Sequence, residues 1–208
     1  MFAVCRSPKG GVGTSVVAAA LALRRAAAGH ETLLVDLAGD QVALLGLPDG
    51  EALGVGDWLA VGEDAPVDGL AALEVPVVPG LRLLPRGTQQ CRTRLDVLAG
   101  VLATGHRSVV VDAGLASGVG WAAGRASEVV VMRLCYLALR RAGVLESTTR
   151  VVLVEEPGRA LMASDASAVL GVAIWRRLAI DPAVARTIDA GLLAHRFPRA
   201  LRGLEWDQ

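Results

Sequence analysis

The segment 9–15, which reads Lys-Gly-Gly-Val-Gly-Thr-Ser, constrains the fold more than any other part of the sequence. A short apolar stretch before it, 2–6, predicts a β-strand, and an Ala- and Leu-rich stretch after it, 14–28, predicts a helix. Glycines let the backbone curl so that several N–H groups point at one anion, and the helix start adds partial positive charge. This pattern predicts a phosphate-binding turn. The alternative is a Gly-rich turn that binds nothing.

The rest of the chain repeats the order strand, loop, helix. Further strands are predicted at 32–35, 81–84, 109–111, 128–132, 151–154 and 172–175. Helices are predicted at 55–61, 92–103, 137–146 and 165–170, and another begins with Asp181 as N-cap and Pro182 in its first position. Uniformly apolar strands that alternate with helices predict an α/β fold of three layers, with a mostly parallel sheet between helices. A length of 208 residues suits a single domain over 1–208.

Two predicted strands end in an aspartate, Asp36 and Asp112. Because ligands of parallel sheets bind at the carboxyl ends of the strands, we expect both aspartates to face the Gly-rich turn. The Ser15 hydroxyl at the end of that turn is the usual type of magnesium ligand. Asp40 follows in an Ala-Gly-Asp-Gln run. It is either a carboxylate of the site or the N-cap of a short helix over 42–45.

The balance of basic and acidic residues bears on whether the protein binds nucleic acid. Lys9 is the only lysine, because arginines account for the other 20 of the 21 basic residues. The 21 acidic residues balance them, which argues against a surface that binds nucleic acid throughout. Local binding of nucleic acid at the arginine pairs 140–141 and 176–177 remains an alternative. The first residues lack the pattern of a signal peptide, and we expect a cytoplasmic protein.

The cysteines and histidines do not form a recognisable metal motif. Cys5, Cys91 and Cys135 are widely spaced and include no Cys-x-x-Cys pair, so neither a disulfide framework nor a zinc site is predicted. The three histidines lie far apart in sequence, each beside a turn or a helix end; they are His30, His106 and His195.

The Gly-rich segment resembles the deviant Walker A motif of the MinD/ParA superfamily, in which Lys-Gly-Gly-x-Gly-Lys precedes Ser or Thr. The resemblance implies that ATP or ADP binds with magnesium, and that Lys9 reaches across a homodimer to the partner's phosphates. The residues that would hold the nucleotide are Lys9, Gly10, Gly11, Val12, Gly13, Thr14 and Ser15. Thr14 departs from the motif, because relatives carry there the lysine that holds the β- and γ-phosphates.

Two further departures concern positions that face the nucleotide in relatives. The stretch 33–36 is similar to the strand that ends in Asp-x-Asp in the family, but Ala38 replaces the second acid. The resemblance gives catalytic roles to Asp36, to Asp40 as a substitute for the lost acid, and to Asp112. The stretch 109–112 resembles the Walker B strand, which makes Asp112 a magnesium ligand through water together with Ser15. Glu155-Glu156-Pro157 stands where relatives often carry an adenine-contacting asparagine.

The family positions structures in bacterial cells, and the three departures imply weak or lost ATPase activity. The segment 135–142 looks most like TadZ/CpaE-type proteins, which localise the Flp (Tad) pilus machinery. The implied partners are a second copy of the chain and a protein of the positioned machine, at a pilus, a secretion system or the septum. The alternatives are an active ATP-dependent switch, a ParA-type DNA-partition protein and a small-molecule or metal-trafficking protein.

The segment 197–206 has a pattern that could indicate membrane binding. Apolar residues at helical spacing among arginines in 197–206 resemble the membrane anchor of MinD, which would place the protein peripherally at the inner membrane face. The alternative, which the acidic residues nearby favour, is a C-terminal helix packed on the core or a partner-binding face.

Overall fold

The computed structural model describes residues 1–48, 53–116 and 118–206. The strands of this described part are β1 (Phe2–Ser7), β2 (Thr32–Asp36), β3 (Val75–Val78), β4 (Leu81–Leu84), β5 (Ser108–Leu115), β6 (Ser127–Arg133), β7 (Arg150–Glu155) and β8 (Ile174–Ala179). The helices are α1 (Thr14–Ala27), α2 (Gln41–Leu44), α3 (Val55–Val61), α4 (Val67–Ala72), α5 (Leu95–Ala103), α6 (Tyr136–Ala142), α7 (Ala163–Leu170) and α8 (Pro182–Asp189). Short 3-10 turns cover Gly62–Asp64, Gly120–Ala122 and Arg199–Leu201.

The strands form one sheet in the order β3-β4-β2-β5-β1-β6-β7-β8. All neighbouring strands run parallel except β3, which lies antiparallel to β4 at the edge. Chain order reverses at β1, which lies between β5 and β6. Such a reversal opens a crevice at the carboxyl ends of the strands, where ligands of doubly wound sheets bind.

Alternate residues of the central strands point to two different hydrophobic layers. Ala3 and Cys5 of β1 pack with α1, whereas Val4 between them packs with α3 and α5 on the opposite face. A further cluster joins β6 and β7 to α6 and α7. The predicted fold class is therefore confirmed: a mostly parallel sheet lies between helices on both faces.

Several predicted elements have different bounds in the structure. The helix predicted from 92 begins at Leu95, since Arg94 adopts a left-handed backbone conformation with φ of 58°. The helix predicted to run to 146 ends at Ala142, where Gly143 takes φ of 63°. The strand predicted at 172–175 is instead Ile174–Ala179. It contains Arg176 and Arg177, which an edge strand accommodates because one of its sides faces solvent.

The stretch 48–80 contains more structure than the single helix predicted there. That helix, α3, is confirmed, but α4 and β3 were missed. Pro76 within β3 argues against a strand, and a proline is tolerated here because β3 is at the edge of the sheet. Residues 49–52 lie outside the described part.

The predicted amphipathic helix over 197–206 is absent from these residues, which are fully described. They contain only the 3-10 turn Arg199–Leu201. Leu201 and Leu204 are buried in the cluster around α1, and Phe197 and Trp206 pack against that cluster. The predicted packing on the core is therefore confirmed, but the helix predicted to make it is wrong. In the described part of the chain, every helix is too short or too polar to cross a bilayer.

Candidate functional site

Most of the predicted site residues meet at one edge of the sheet. The strands β2, β5 and β1 are adjacent and parallel, so their carboxyl ends lie side by side. Asp36 at the end of β2 pairs in register with Asp112 of β5, and the Gly-rich turn leaves β1 next to them. A cleft of about 880 Å³ opens at this edge.

The Gly-rich turn has the shape of an anion cradle. Gly11 and Gly13 have φ of 74° and 94°, which residues with a side chain rarely adopt. A Cβ atom added at Gly10, Gly11 or Gly13 would have no heavy atom within 4 Å, so the space beside these glycines is open. The helix α1 starts directly behind it and has no acidic residue in its first turn. Its N–H groups and partial positive charge favour an anion.

The cations near the cradle differ from those of a usual phosphate-binding loop. Thr14 is buried and offers only a hydroxyl. Lys9 lies partly exposed on the turn but does not line the cleft in the described part of the chain. Arg86 and Arg92 line it instead. Positive charge therefore reaches the cleft from the segment after β4.

Asp36 shapes the turn that follows β2. Its Oδ1 accepts hydrogen bonds from the N–H groups of Ala38 at 3.0 Å and Gly39 at 2.6 Å, and its Oδ2 accepts one from Gln41 at 3.0 Å. The side chain is fully buried, and burial raises the pKa of Asp36 to about 6 against the lowering effect of these bonds. Both carboxylate oxygens are thus occupied by the backbone.

Asp112 and Ser15 lie together at the base of the cradle. The Asp112 carboxylate is fully buried, accepts a hydrogen bond from the Gly114 N–H at 3.0 Å and interacts with the Ser15 side chain. Burial raises the pKa of Asp112, and the nearby charge of Asp40 adds to this. A hydroxyl and a carboxylate at the start of α1 form a compact set of oxygen ligands.

Gln41 is a site residue that sequence reasoning missed. Its Nε2 donates to the carbonyl oxygen of Ser15 at 2.9 Å and to Oδ2 of Asp112 at 2.8 Å. The side chain is fully buried, and its Oε1 has no partner among the described residues. No spacing rule marks a glutamine in the first turn of a short helix, so only the fold reveals this bridge.

Asp40 occupies the N-cap position of α2, as one of its two predicted roles requires. Its side chain makes no capping hydrogen bond, however, and it lines the cleft as an exposed carboxylate. The geometry therefore leaves Asp40 available to a ligand in the cleft.

Arg86 was also missed, although its place immediately after a predicted strand was a usable signal. The Nη1 group of Arg86 donates to the carbonyl oxygen of Ala38 at 2.8 Å. A Cβ atom at Gly39 would overlap the guanidinium. The arginine thus lies against the position where the lost second acid would stand.

Other predicted features lie away from this cleft. Glu155 accepts a hydrogen bond from Nε of Arg177 at 2.8 Å, and Glu156 accepts one from Nε of Arg159 at 2.8 Å. No group of three or more His, Cys, Asp or Glu side chains in the described residues could hold a metal ion. Cys135 caps α6, since its Sγ accepts a hydrogen bond from the Ala138 N–H at 3.4 Å.

Comparison with known proteins identifies the fold. No protein-family profile and no curated protein sequence matches the chain. Among solved structures, a ParA family ATPase from Chlorobium tepidum TLS is 19% identical with a TM-score of 0.77, over 97% of this chain and 94% of that one. MinD from Pyrococcus horikoshii OT3, complexed with Mg-ADP, is 16% identical with a TM-score of 0.75, over 98% and 92%.

The MinC:MinD cell division complex of Aquifex aeolicus contains a third similar chain. It is 18% identical with a TM-score of 0.72, over 92% of this chain and 86% of that one. At these identities the similarity establishes architecture and not activity. The chain therefore has the fold of the MinD and ParA ATPases.

Proposed function

We propose that this chain binds a nucleoside di- or triphosphate with magnesium in the cleft, and that it works as a dimer that positions a bacterial cell structure. The observation that carries the proposal is the open cradle of Gly10, Gly11 and Gly13 at the start of α1. Backbone N–H groups beside a helix start favour the binding of an anion. Similarity in fold to MinD solved with Mg-ADP supports the choice of ligand.

The residues at the base of the cradle fit magnesium. The Ser15 hydroxyl and the Asp112 carboxylate are hard oxygen donors of the kind that this ion prefers. The unpartnered Oε1 of Gln41 is a further oxygen that can accept from a water molecule of the ion's shell. Magnesium bound there would offset the negative charge of the phosphates.

We infer that hydrolysis is weak or absent. Thr14 brings no cation to the cradle, and Ala38 brings no acid to the turn after β2. Asp36 uses both carboxylate oxygens to hold that turn. The active-switch alternative rests on Asp40, the exposed carboxylate of the cleft, which would have to orient the attacking water.

The dimer is proposed from an apolar rim at the same edge as Lys9. Leu115 at the end of β5 is 66% exposed, and Tyr136 in the first turn of α6, after β6, is 72% exposed. Met162 after β7 and Ile180 after β8 are 66% and 41% exposed. Large exposed apolar side chains on one face favour an interface. A second copy placed face to face would cover this rim and bring Lys9 to the partner's cleft.

The positioning role follows from the proteins of similar fold, which include MinD in complex with MinC and plasmid partition proteins. We propose that the structure positioned is the pilus machinery, on the TadZ/CpaE-like segment 135–142, with the septum as the alternative. Imaging of a fluorescent fusion tests the choice. A focus that moves with the pilus machinery supports the pilus, and a focus at the division site supports the septum.

The DNA-partition alternative receives less support from the arginine pairs. Arg177 is engaged by Glu155, and Arg176 donates from Nε to the carbonyl oxygen of Gly203 at 2.9 Å. Arg140 and Arg141 remain exposed on α6, but two adjacent charges are a small patch for phosphate-backbone binding.

Isothermal titration of Mg-ATP and Mg-ADP into the protein tests the function. We expect micromolar binding that weakens when EDTA removes magnesium. In Lys9→Ala the nucleotide binds more weakly and no longer promotes the dimer, whereas Arg196→Ala, exposed outside the cleft, behaves as the unmodified protein. An absence of binding up to millimolar nucleotide would sink the proposal.

A phosphate-release assay with the same samples separates the scaffold from the switch. We expect release no faster than that of a blank without protein. Magnesium-dependent release that Asp112→Asn abolishes would instead establish the active switch.

A further inference from the structure

Arg86 is the cation whose environment the described fold specifies most closely. It lies in the segment after β4, at the same sheet edge as the Gly-rich turn, and it lines the cleft. Its Nη1 group is held by the carbonyl oxygen of Ala38 at 2.8 Å. The guanidinium therefore keeps one orientation relative to the turn after β2.

The backbone of Arg86 is held against the start of α3. The N–H of Val55 donates to the carbonyl oxygen of Pro85 at 2.8 Å, and the N–H of Gly56 donates to that of Arg86 at 2.8 Å. Helix starts normally rely on a side-chain cap for these N–H groups. Here the segment that carries Arg86 supplies the cap.

Three glycines allow the start of α3 to lie close to the segment after β4. A Cβ atom at Gly54 would overlap the Pro85 carbonyl oxygen, and one at Gly56 would overlap that of Gln89. A Cβ atom at Gly87 would overlap a carboxylate oxygen of Asp57. Because glycines within structured elements lower stability unless a contact requires them, their concentration here indicates a segment whose position matters.

Asp57 of α3 also holds the segment that carries Arg86, through hydrogen bonds with Thr88. Its Oδ2 accepts hydrogen bonds from the N–H groups of Gly54 at 2.8 Å and Thr88 at 3.0 Å, and its Oδ1 accepts one from the Thr88 hydroxyl at 2.5 Å. The carboxylate thus accepts its hydrogen bonds from Gly54 and Thr88, and it forms no ion pair with Arg86 in the described structure.

The charge of Arg86 has no counterion among the described residues. Its Nε is shielded from solvent and lacks a hydrogen-bond partner there, and Nη2 makes no hydrogen bond to those residues. Ala38, whose carbonyl oxygen accepts the hydrogen bond from Nη1, brings no charge of its own. A cation that is held in a cleft without a counterion favours an anionic ligand.

We propose that Arg86 contacts the phosphates of the bound nucleotide and supplies the charge that a lysine at position 14 supplies in P-loop proteins. The inference rests on the proposed nucleotide binding. Arg86 then supplies the positive charge that Thr14 does not.

Titration calorimetry with Mg-ATP, Mg-ADP and AMP tests the assignment. Arg86→Ala weakens Mg-ATP binding by about 10- to 100-fold, the effect of losing one hydrogen bond to a charged group. AMP lacks the outer phosphates, so Arg86→Ala weakens the binding of AMP less than the binding of Mg-ATP. Arg196→Ala removes the same charge from an exposed side chain outside the cleft and changes Mg-ATP binding by no more than about 2-fold. Adding Thr14→Lys to Arg86→Ala restores binding.

Three results would overturn the assignment. Arg86→Ala could bind Mg-ATP as tightly as the unmodified chain, Arg196→Ala could lose as much binding as Arg86→Ala, or Thr14→Lys could fail to restore binding. Circular dichroism checks that Arg86→Ala is folded, and Arg86→Gln repeats the test with a side chain of similar length. If the unmodified chain binds no nucleotide, the proposed function fails first, and this inference fails with it.

Discussion

Gln41 donates from Nε2 to Oδ2 of Asp112 at 2.8 Å, and this buried bond joins the turn after β2 to the strand β5. The same Nε2 donates to the carbonyl oxygen of Ser15 at 2.9 Å, so one amide group also holds the start of α1. The three elements that form the cleft are thereby tied at a single point. The orientation of the predicted magnesium ligands depends on a side chain that has no catalytic chemistry of its own.

Replacing Gln41 by leucine should destabilise the fold. The change removes the hydrogen bonds that Nε2 of Gln41 donates to the Ser15 carbonyl oxygen and to Oδ2 of Asp112, both at a buried side chain. We expect the free energy of unfolding to fall by about 1–3 kcal/mol for buried groups left unsatisfied. Urea denaturation measures it. The exposed Gln89→Ala is the control and should stay within about 0.5 kcal/mol. Equal effects in both variants would contradict the bridging role.

Stability should depend on pH through Asp36. Burial raises the pKa of Asp36 to about 6 in the folded chain, above the ordinary aspartate value of 3.8, so the folded state binds the proton more tightly. The stabilisation by the protonated form is complete below about pH 4 and is lost as the pH rises through about 6. The loss amounts to roughly 3 kcal/mol, at 1.36 kcal/mol per pKa unit.

The measurement is the unfolding free energy of the unmodified chain and of Asp36→Asn from pH 4 to pH 7. Their difference isolates Asp36 from the other carboxylates, some of which shift in the opposite direction, as Asp57 does. We expect the unmodified chain to lose stability relative to Asp36→Asn as the pH rises. A difference that stays constant over this range would contradict the raised pKa.

A methyl group at Gly56 should displace the segment that carries Arg86. The added Cβ would overlap the carbonyl oxygen of Gln89, so the segment must move. We expect a loss of about 1–3 kcal/mol in stability, as for overpacked sites, together with weaker Mg-ATP binding. Thermal unfolding and titration calorimetry measure the two effects.

Gly100→Ala is the matched control for Gly56→Ala. Gly100 lies within α5, and an added Cβ there meets open space. The substitution should raise stability by about 0.5–1 kcal/mol through higher helix propensity and leave nucleotide binding unchanged. If Gly56→Ala behaves like Gly100→Ala, the contact between α3 and the segment after β4 is looser than the structure indicates.

Charge on the apolar rim should prevent the proposed dimer. Tyr136→Asp places a carboxylate at a side chain that is 72% exposed on the sheet edge that carries Lys9. Burying that charge against a second copy is unfavourable, so we expect a monomer where the unmodified protein is dimeric with nucleotide. Sedimentation equilibrium gives the mass.

Val144→Asp provides the comparison for the dimer. Val144 is 81% exposed but follows α6, away from the carboxyl ends of the strands. The Val144→Asp substitution should therefore leave the dimer intact. If Val144→Asp disrupts the dimer and Tyr136→Asp does not, the interface lies on a different face.

Much of the fold and part of the site could be predicted from local sequence. The bounds of β1, α1, β2 and α3 are confirmed to within one or two residues because strong apolar patterns and glycines mark them. The cradle was predictable for the same reason, since only the glycines at 11 and 13 adopt its backbone angles easily. The absence of a cation at Thr14 can likewise be seen without a structure.

The placement of charge around the cradle was decided by tertiary structure alone. Arg86 lies 48 positions from Ala38 along the chain, and Gln41 lies 71 from Asp112, yet both pairs are in hydrogen-bond contact. Sheet order brings them together, and no periodicity in the sequence encodes which strands become neighbours. The sequence by itself determined that a Gly-rich cradle forms without the lysine of a usual phosphate-binding loop. The packing of β4 beside β2, and of glycines against the segment after β4, decided which cation stands near it.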